Sequence, residues 1–164
     1  MSVTHHFILE AALWAAVIST GIMAGIYCCF SIFVMASLNA LPADQAINTM
    51  NSINRVILSS AFMPLFFGSS ALALMILIIT SLYEPKPLLI LASIGYLVGM
   101  LGITIIGNVP LNNRLQLIKV DKLNAKQHNT AWNRYYHAWS KWNHVRSIAS
   151  TLSFIGYVYF LKTV

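Results

Sequence analysis

The chain has 164 residues, 58% hydrophobic and 9% charged, with mean hydropathy +0.71 and net charge +6. A soluble domain of this length exposes too much of its surface to carry so few charges, against roughly 25% in an average soluble domain. Lipid is the expected solvent, and the basic excess does not point to nucleic acid, because most Lys and Arg fall in one stretch between apolar segments where membrane topology and anionic lipid account for them.

In chain order, the first apolar segment runs from about 7 to 38, broken by Glu10 and a few small polar residues. It lacks a basic n-region and far exceeds the length of a signal-peptide core, so it is expected to be retained as a membrane span. Cys28 and Cys29 are adjacent within it, point about 100° apart on a helix, and read as packing residues. From Leu41 to Asn54 the apolar Ala46, Ile47, Met50 and Ile53 recur at helical spacing, which predicts a short amphipathic helix at the membrane surface. A second span is predicted over 56–82, kinked at Pro64. The prolines around Lys86 make a tight turn into a third span over 88–107, with Gly107-Asn108-Val109-Pro110 ending that helix and turning the chain. The next stretch holds Arg114, Lys119, Lys122, Lys126, Arg134 and Lys141. Within it, Trp132, Tyr135, Tyr136, Trp139 and Trp142 form an aromatic stripe on a second interfacial helix. A fourth span is predicted over 145–161.

The expectation is therefore one all-α domain covering 1–164, a four-helix transmembrane bundle with interfacial amphipathic helices after spans 1 and 3. The positive-inside rule places the basic connections in the cytoplasm and both termini outside a bacterial-type inner (plasma) membrane. Gly21 with Gly25, and Gly95 with Gly99, are GxxxG pairs that serve either packing within the bundle or a homodimer face.

Polar residues of the spans gather at one membrane face. Asn54 and Arg55 open the second span, Asn108, Asn112 and Arg114 follow the third, and Trp139, Trp142, Asn143, His144 and Arg146 introduce the fourth. Arg and His at the hydrocarbon boundary are costly unless paired or functional. They read either as caps, anchors and snorkelling groups or as a pocket of donors, one imidazole and aromatic walls. No dedicated zinc spacing, carboxylate pair, phosphate loop or dinucleotide fingerprint is present.

Two elements carry a family resemblance: Gly107-Asn108-Val109-Pro110-Leu111-Asn112, and Trp139-Ser140-Lys141-Trp142-Asn143-His144-Val145-Arg146. With Gly25-Ile26-Tyr27, Phe30, Met50-Asn51-Ser52-Ile53-Asn54-Arg55 and Thr104, the chain resembles the DUF1772, or anthrone oxygenase-like, integral membrane proteins over nearly its whole length. The resemblance implies an oxidoreductase that oxygenates an activated carbon of a flat aromatic or quinone-like molecule, with no metal or prosthetic group required. It casts His144 as the base, with Arg55, Arg146, Asn108 and Asn112 stabilising the oxyanion and Tyr27, Trp139 and Trp142 forming the walls. A second reading gives the same residues, with Asn54 and Asn143, to haem b in a redox or gas-binding protein, His144 being the axial ligand and hence the metal-binding residue. A third is a non-catalytic accessory or lipid-binding membrane protein.

Overall fold

The computed structural model describes residues 3–83 and 85–162, so Glu84, and the side chains of His5 and His6, lie outside the described residues. Every regular element among the described residues is helical. Helix α1 (Val3–Cys29) passes through a widened turn, Phe30–Val34, into α2 (Met35–Asn39), and α3 spans Ala43–Leu58. Next come α4 (Phe62–Leu82) and α5 (Pro87–Tyr96). Two further widened turns, Leu97–Gly102 and Thr104–Asn108, lead into α6 (Val109–Gln116), and α7 closes the chain over Ala125–Leu161.

Three helical stretches among the described residues, Phe7–Asn39, Phe62–Leu82 and Pro87–Gln116, are long and apolar enough to cross a membrane. The C-terminal half of α7, expected as a fourth, is not one of them: Arg146, Ser147, Ser150 and Ser153 dilute its hydropathy. It nevertheless completes a ring of four helices, in which α7 packs most extensively on α1, then α5, and α4 touches both α1 and α5.

The second helix boundary differs from expectation. Residues 56–58 finish α3, a turn covers 59–61, and α4 starts at Phe62. Ser60 Oγ accepts a hydrogen bond from the Phe62 N–H at 3.2 Å. Pro64 thus falls in the first turn, where its missing N–H breaks no helical bond, and it causes no mid-span kink. Arg55 accordingly belongs to the last turn of α3, not to the head of a span.

Nor does the chain turn at Gly107–Pro110; helix continues to Gln116. The Val109 N–H bonds to the Thr104 carbonyl five residues back, a π-type turn. We attribute the survival of the helix across Pro110 to this looser turn, which leaves room for a proline ring that would crowd a regular α-turn.

The aromatic stripe and the fourth span are one unbroken helix. Asn124 and Gln127 start α7 with a capping box: Asn124 Oδ1 accepts from the Gln127 N–H at 3.0 Å, and Gln127 Oε1 from the Asn124 N–H at 2.9 Å. At ~1.5 Å per residue, its 37 residues extend well past a hydrocarbon core of ~30 Å. Its N-terminal half buries Trp132, Tyr135 and Trp139 against Met35, Leu38, Ala46, Ile47, Met50 and Leu115, a cap of helices α2, α3 and α6. Trp132, Tyr135 and Trp139 of the stripe are therefore core to this cap, while Trp142 stays exposed, and the stripe is continuous with the last segment rather than a separate helix.

The third-stretch glycines are used inside the chain. A Cβ at Gly99 would collide with Ala149 of α7, and one at Gly95 would stand 3.5 Å from Ser153 Oγ, whereas Gly25 has open space. Close backbone approach of α7 to its neighbour explains Gly99, whereas a Cβ at Gly95 would make only ordinary van der Waals contact.

Candidate functional site

Where cap meets bundle, α1, α3, the start of α4, the third helical stretch and α7 enclose a cavity of about 340 Å³. Its wall includes Tyr27, Asn54, Arg55, Asn108, Asn112, Trp139 and Arg146, so seven of the eleven residues singled out from the sequence converge, and Arg114 is exposed outside it. Phe30, Met50, Phe62, Phe66 and Thr104 supply further wall that sequence reasoning left without a role. Thr104 lies one turn before Asn108 on the same face, which was the signal available for it.

Arg146 is the centre. It is only 5% exposed, and its guanidinium carbon stands 4.4 Å from the Tyr27 ring centroid and 5.2 Å from that of Trp139. Nη2 donates to Asn143 Oδ1 at 2.8 Å and Nη1 to Thr104 Oγ1 at 3.4 Å. Thr104 in turn donates to the Met100 carbonyl at 2.7 Å, which aims its lone pairs at the arginine. Among the described residues no carboxylate, imidazole or thiol lines the cavity. A buried cation held by neutral groups bears a desolvation penalty of several kcal/mol, which two cation–π contacts of ~2 kcal/mol each offset in part.

Asn143 lies behind the cavity wall rather than in it. Its amide is saturated: beyond accepting from Arg146, Nδ2 donates to the Tyr27 carbonyl at 2.9 Å and to Ser31 Oγ at 2.7 Å. Ser31 sits in the widened turn Phe30–Val34 and shares a hydrogen bond of 2.9 Å with Ser147. Asn143 thereby ties α1 to α7 and fixes the arginine. Asn112 Oδ1 accepts from the Tyr135 hydroxyl at 2.8 Å and the Trp139 indole at 2.9 Å. Burial pushes the Tyr135 phenol above its ordinary pKa, keeping it a neutral donor. Asn108 Nδ2 donates to the Trp139 carbonyl at 3.2 Å.

Three buried polar atoms of cavity residues have no hydrogen-bond partner among the described residues: Arg146 Nε, Asn54 Nδ2 and Asn108 Oδ1. Buried polar atoms are normally paired; Asn54 interacts with the Tyr135 phenol, which leaves Arg146 Nε as the donor and Asn108 Oδ1 as the acceptor open to a bound molecule.

His144 and Trp142 are not brought to the cavity. One residue is about 100° of helix, so with Asn143 and Arg146 turned inward His144 is exposed on another face. Trp142 covers Gly107, where a Cβ would stand 2.8 Å from its ring, and is itself 39% exposed. The expected imidazole base is thus absent from this wall. A haem in this cavity with His144 as axial ligand does not fit, since the wall offers iron neither imidazole nor thiolate. Arg55 is exposed, at the rim with Asn113 and Gln116.

A family model described as anthrone oxygenase matches residues 50–156, which take in most of the cavity wall and all of Trp139–Arg146. No curated protein and no solved structure matches the chain. With well over half of its length matched, this helical, membrane-type chain belongs to the anthrone oxygenase family.

Proposed function

We propose that the protein is a membrane-embedded oxygenase whose substrate is a flat, acidic aromatic ketone of the anthrone class, bound as its enolate in the cavity at Arg146. The observation that carries this reading is the buried guanidinium with neutral partners and an unpaired Nε. Such a site favours an anion, and it lowers the pKa of a ligand that becomes one. The aromatic faces of Tyr27, Phe66 and Trp139 suit a flat ring system, and the volume lies near the lower end of the ~300–1,000 Å³ range of small-molecule sites.

The chemistry balances with O₂ as the sole co-reactant. The ring methylene loses a proton, and the enolate oxygen gains the Arg146 hydrogen bond. One electron passes to O₂, the two radicals combine into a carbon–oxygen bond, and the peroxide anion takes a proton. Loss of the remaining C–H proton with cleavage of the O–O bond leaves a carbonyl and water. With no carboxylate or imidazole in the wall, protons travel to and from water at the Arg55, Asn113 and Gln116 rim. In this mechanism the protein's own contribution is to hold the anion and exclude competing solvent, with no metal or prosthetic group needed.

We further propose that α7 supplies the fourth span, with both termini outside the plasma membrane and the cap in the cytoplasm, as the positive-inside rule predicts. The test is purified protein in lipid vesicles given anthrone under air. Equimolar uptake of O₂ and formation of anthraquinone above the spontaneous rate are expected, unaffected by chelators. A rate equal to that of protein-free vesicles would remove the oxygenase reading.

A further inference from the structure

The cavity reaches the surface along two edges of opposite character. One is the polar rim of Arg55, Asn113 and Gln116. The other is apolar: Phe67 is 57% exposed, Ile105 58% and Leu58 67%, and all three line the cavity. Phe67 and Ile105 are exposed apolar side chains of two different stretches apolar enough to cross a membrane, and an edge built of such side chains suits hydrocarbon. Depth decides which edge serves Arg146. Along the third stretch the polar rim lies at residues 113–116, two to three turns beyond Thr104. Arg146 bonds Thr104 itself, the neighbour of Ile105. Along that stretch the cation therefore stands level with the apolar edge and away from Asn113 and Gln116.

We propose that the cavity loads sideways from the bilayer between Phe67 and Ile105, and that its substrate is a lipid-anchored aromatic, an acidic ring head carrying a long alkyl or isoprenoid chain that stays in the membrane. The proposal rests on the oxygenase reading of the same cavity and extends it to the form of the substrate. About 340 Å³ holds a small fused ring system but not that system plus a long chain. A tailed substrate thus fits only if the chain leaves through the opening, whereas a molecule arriving from water needs no such exit.

The test uses the full chain in phosphatidylcholine vesicles with anthrone and a set of positional isomers of hexadecyl-anthrone, compared at equal mole fraction in the membrane. Turnover is followed by O₂ uptake, and binding separately by quenching of tryptophan fluorescence. At least one hexadecyl isomer is expected to turn over as fast as the parent compound, and its rate is expected to fall when inert lipid dilutes it. Ile105→Trp, which narrows the opening, should lower the ratio of tailed to untailed kcat/KM about tenfold, the order that one misfitted apolar group costs in a pocket. Ile105→Leu should retain the ratio. Turnover of anthrone with none of the hexadecyl isomers accepted would overturn lateral loading and leave the oxygenase reading standing. Binding of tailed isomers without turnover would do the reverse, and neither binding nor turnover would remove both.

Discussion

Helix α7 presents two faces at the level of the cavity, and their contrast explains the site. The outer face carries Arg134, His137, Lys141 and His144, all exposed. The inner face carries Trp139, Asn143 and Arg146, all buried. Both contain cations, but only the inner one withholds its cation from water and surrounds it with neutral donors, acceptors and rings. A charge in water is screened and does little. The same charge in a dry wall acts strongly on whatever anion enters. Basic composition alone thus says nothing about where α7 does chemistry; the environment of each charge does.

Breaking the inner face should have the largest effect. Arg146→Met is expected to lower anthrone turnover by about 100- to 1,000-fold, the scale of losing one preorganised oxyanion donor. Its unfolding temperature in detergent should hold or rise, since replacing a buried charge by an apolar residue of similar size is often neutral or stabilising. A variant that instead unfolds would make the arginine structural. Asn143→Ala removes three hydrogen bonds at once and should destabilise the α1–α7 contact by about 1–3 kcal/mol, visible as a lower unfolding temperature together with reduced turnover. Asn112→Ala leaves the Tyr135 hydroxyl and Trp139 indole without an acceptor and should cost about 1–2 kcal/mol, with only a secondary loss of activity as the Trp139 wall loosens. The outer face sharpens the comparison from the other side: His144→Ala should change neither stability nor turnover by more than about twofold, as for an ordinary surface position. A large activity loss there would mean that the imidazole reaches the substrate after all.

Much of this arrangement was legible in the chain. Helical period and apolar length marked the segments, and the polar residues of three distant stretches were expected to converge, as Asn54, Arg55, Asn108, Asn112, Trp139 and Arg146 do in one cavity. The family resemblance over the NVPLN and WNHVR elements agrees with the match over residues 50–156. Helix ends were less legible, each for a local reason. Pro110 reads as a stop unless the preceding turn is a π-turn, and Pro64 reads as a kink unless the helix begins just before it. The apolar run from Val56 hid a break at 59–61, because exposed Val56 and Leu58 look like span residues.

By itself, the sequence determined the solvent and the vocabulary of the site: too few charges for water, helices long enough for lipid, and one polar cluster with Arg, Asn and Trp in it. Only the tertiary structure decided which of the consecutive residues Trp142, Asn143, His144, Val145 and Arg146 look inward. Each step along a helix turns the side chain by about 100°, so a small change of helix phase selects a different set. That phase is set by packing against partners far away in the chain, including the widened turns at Phe30–Val34 and Thr104–Asn108 and the glycine that admits the Trp142 ring.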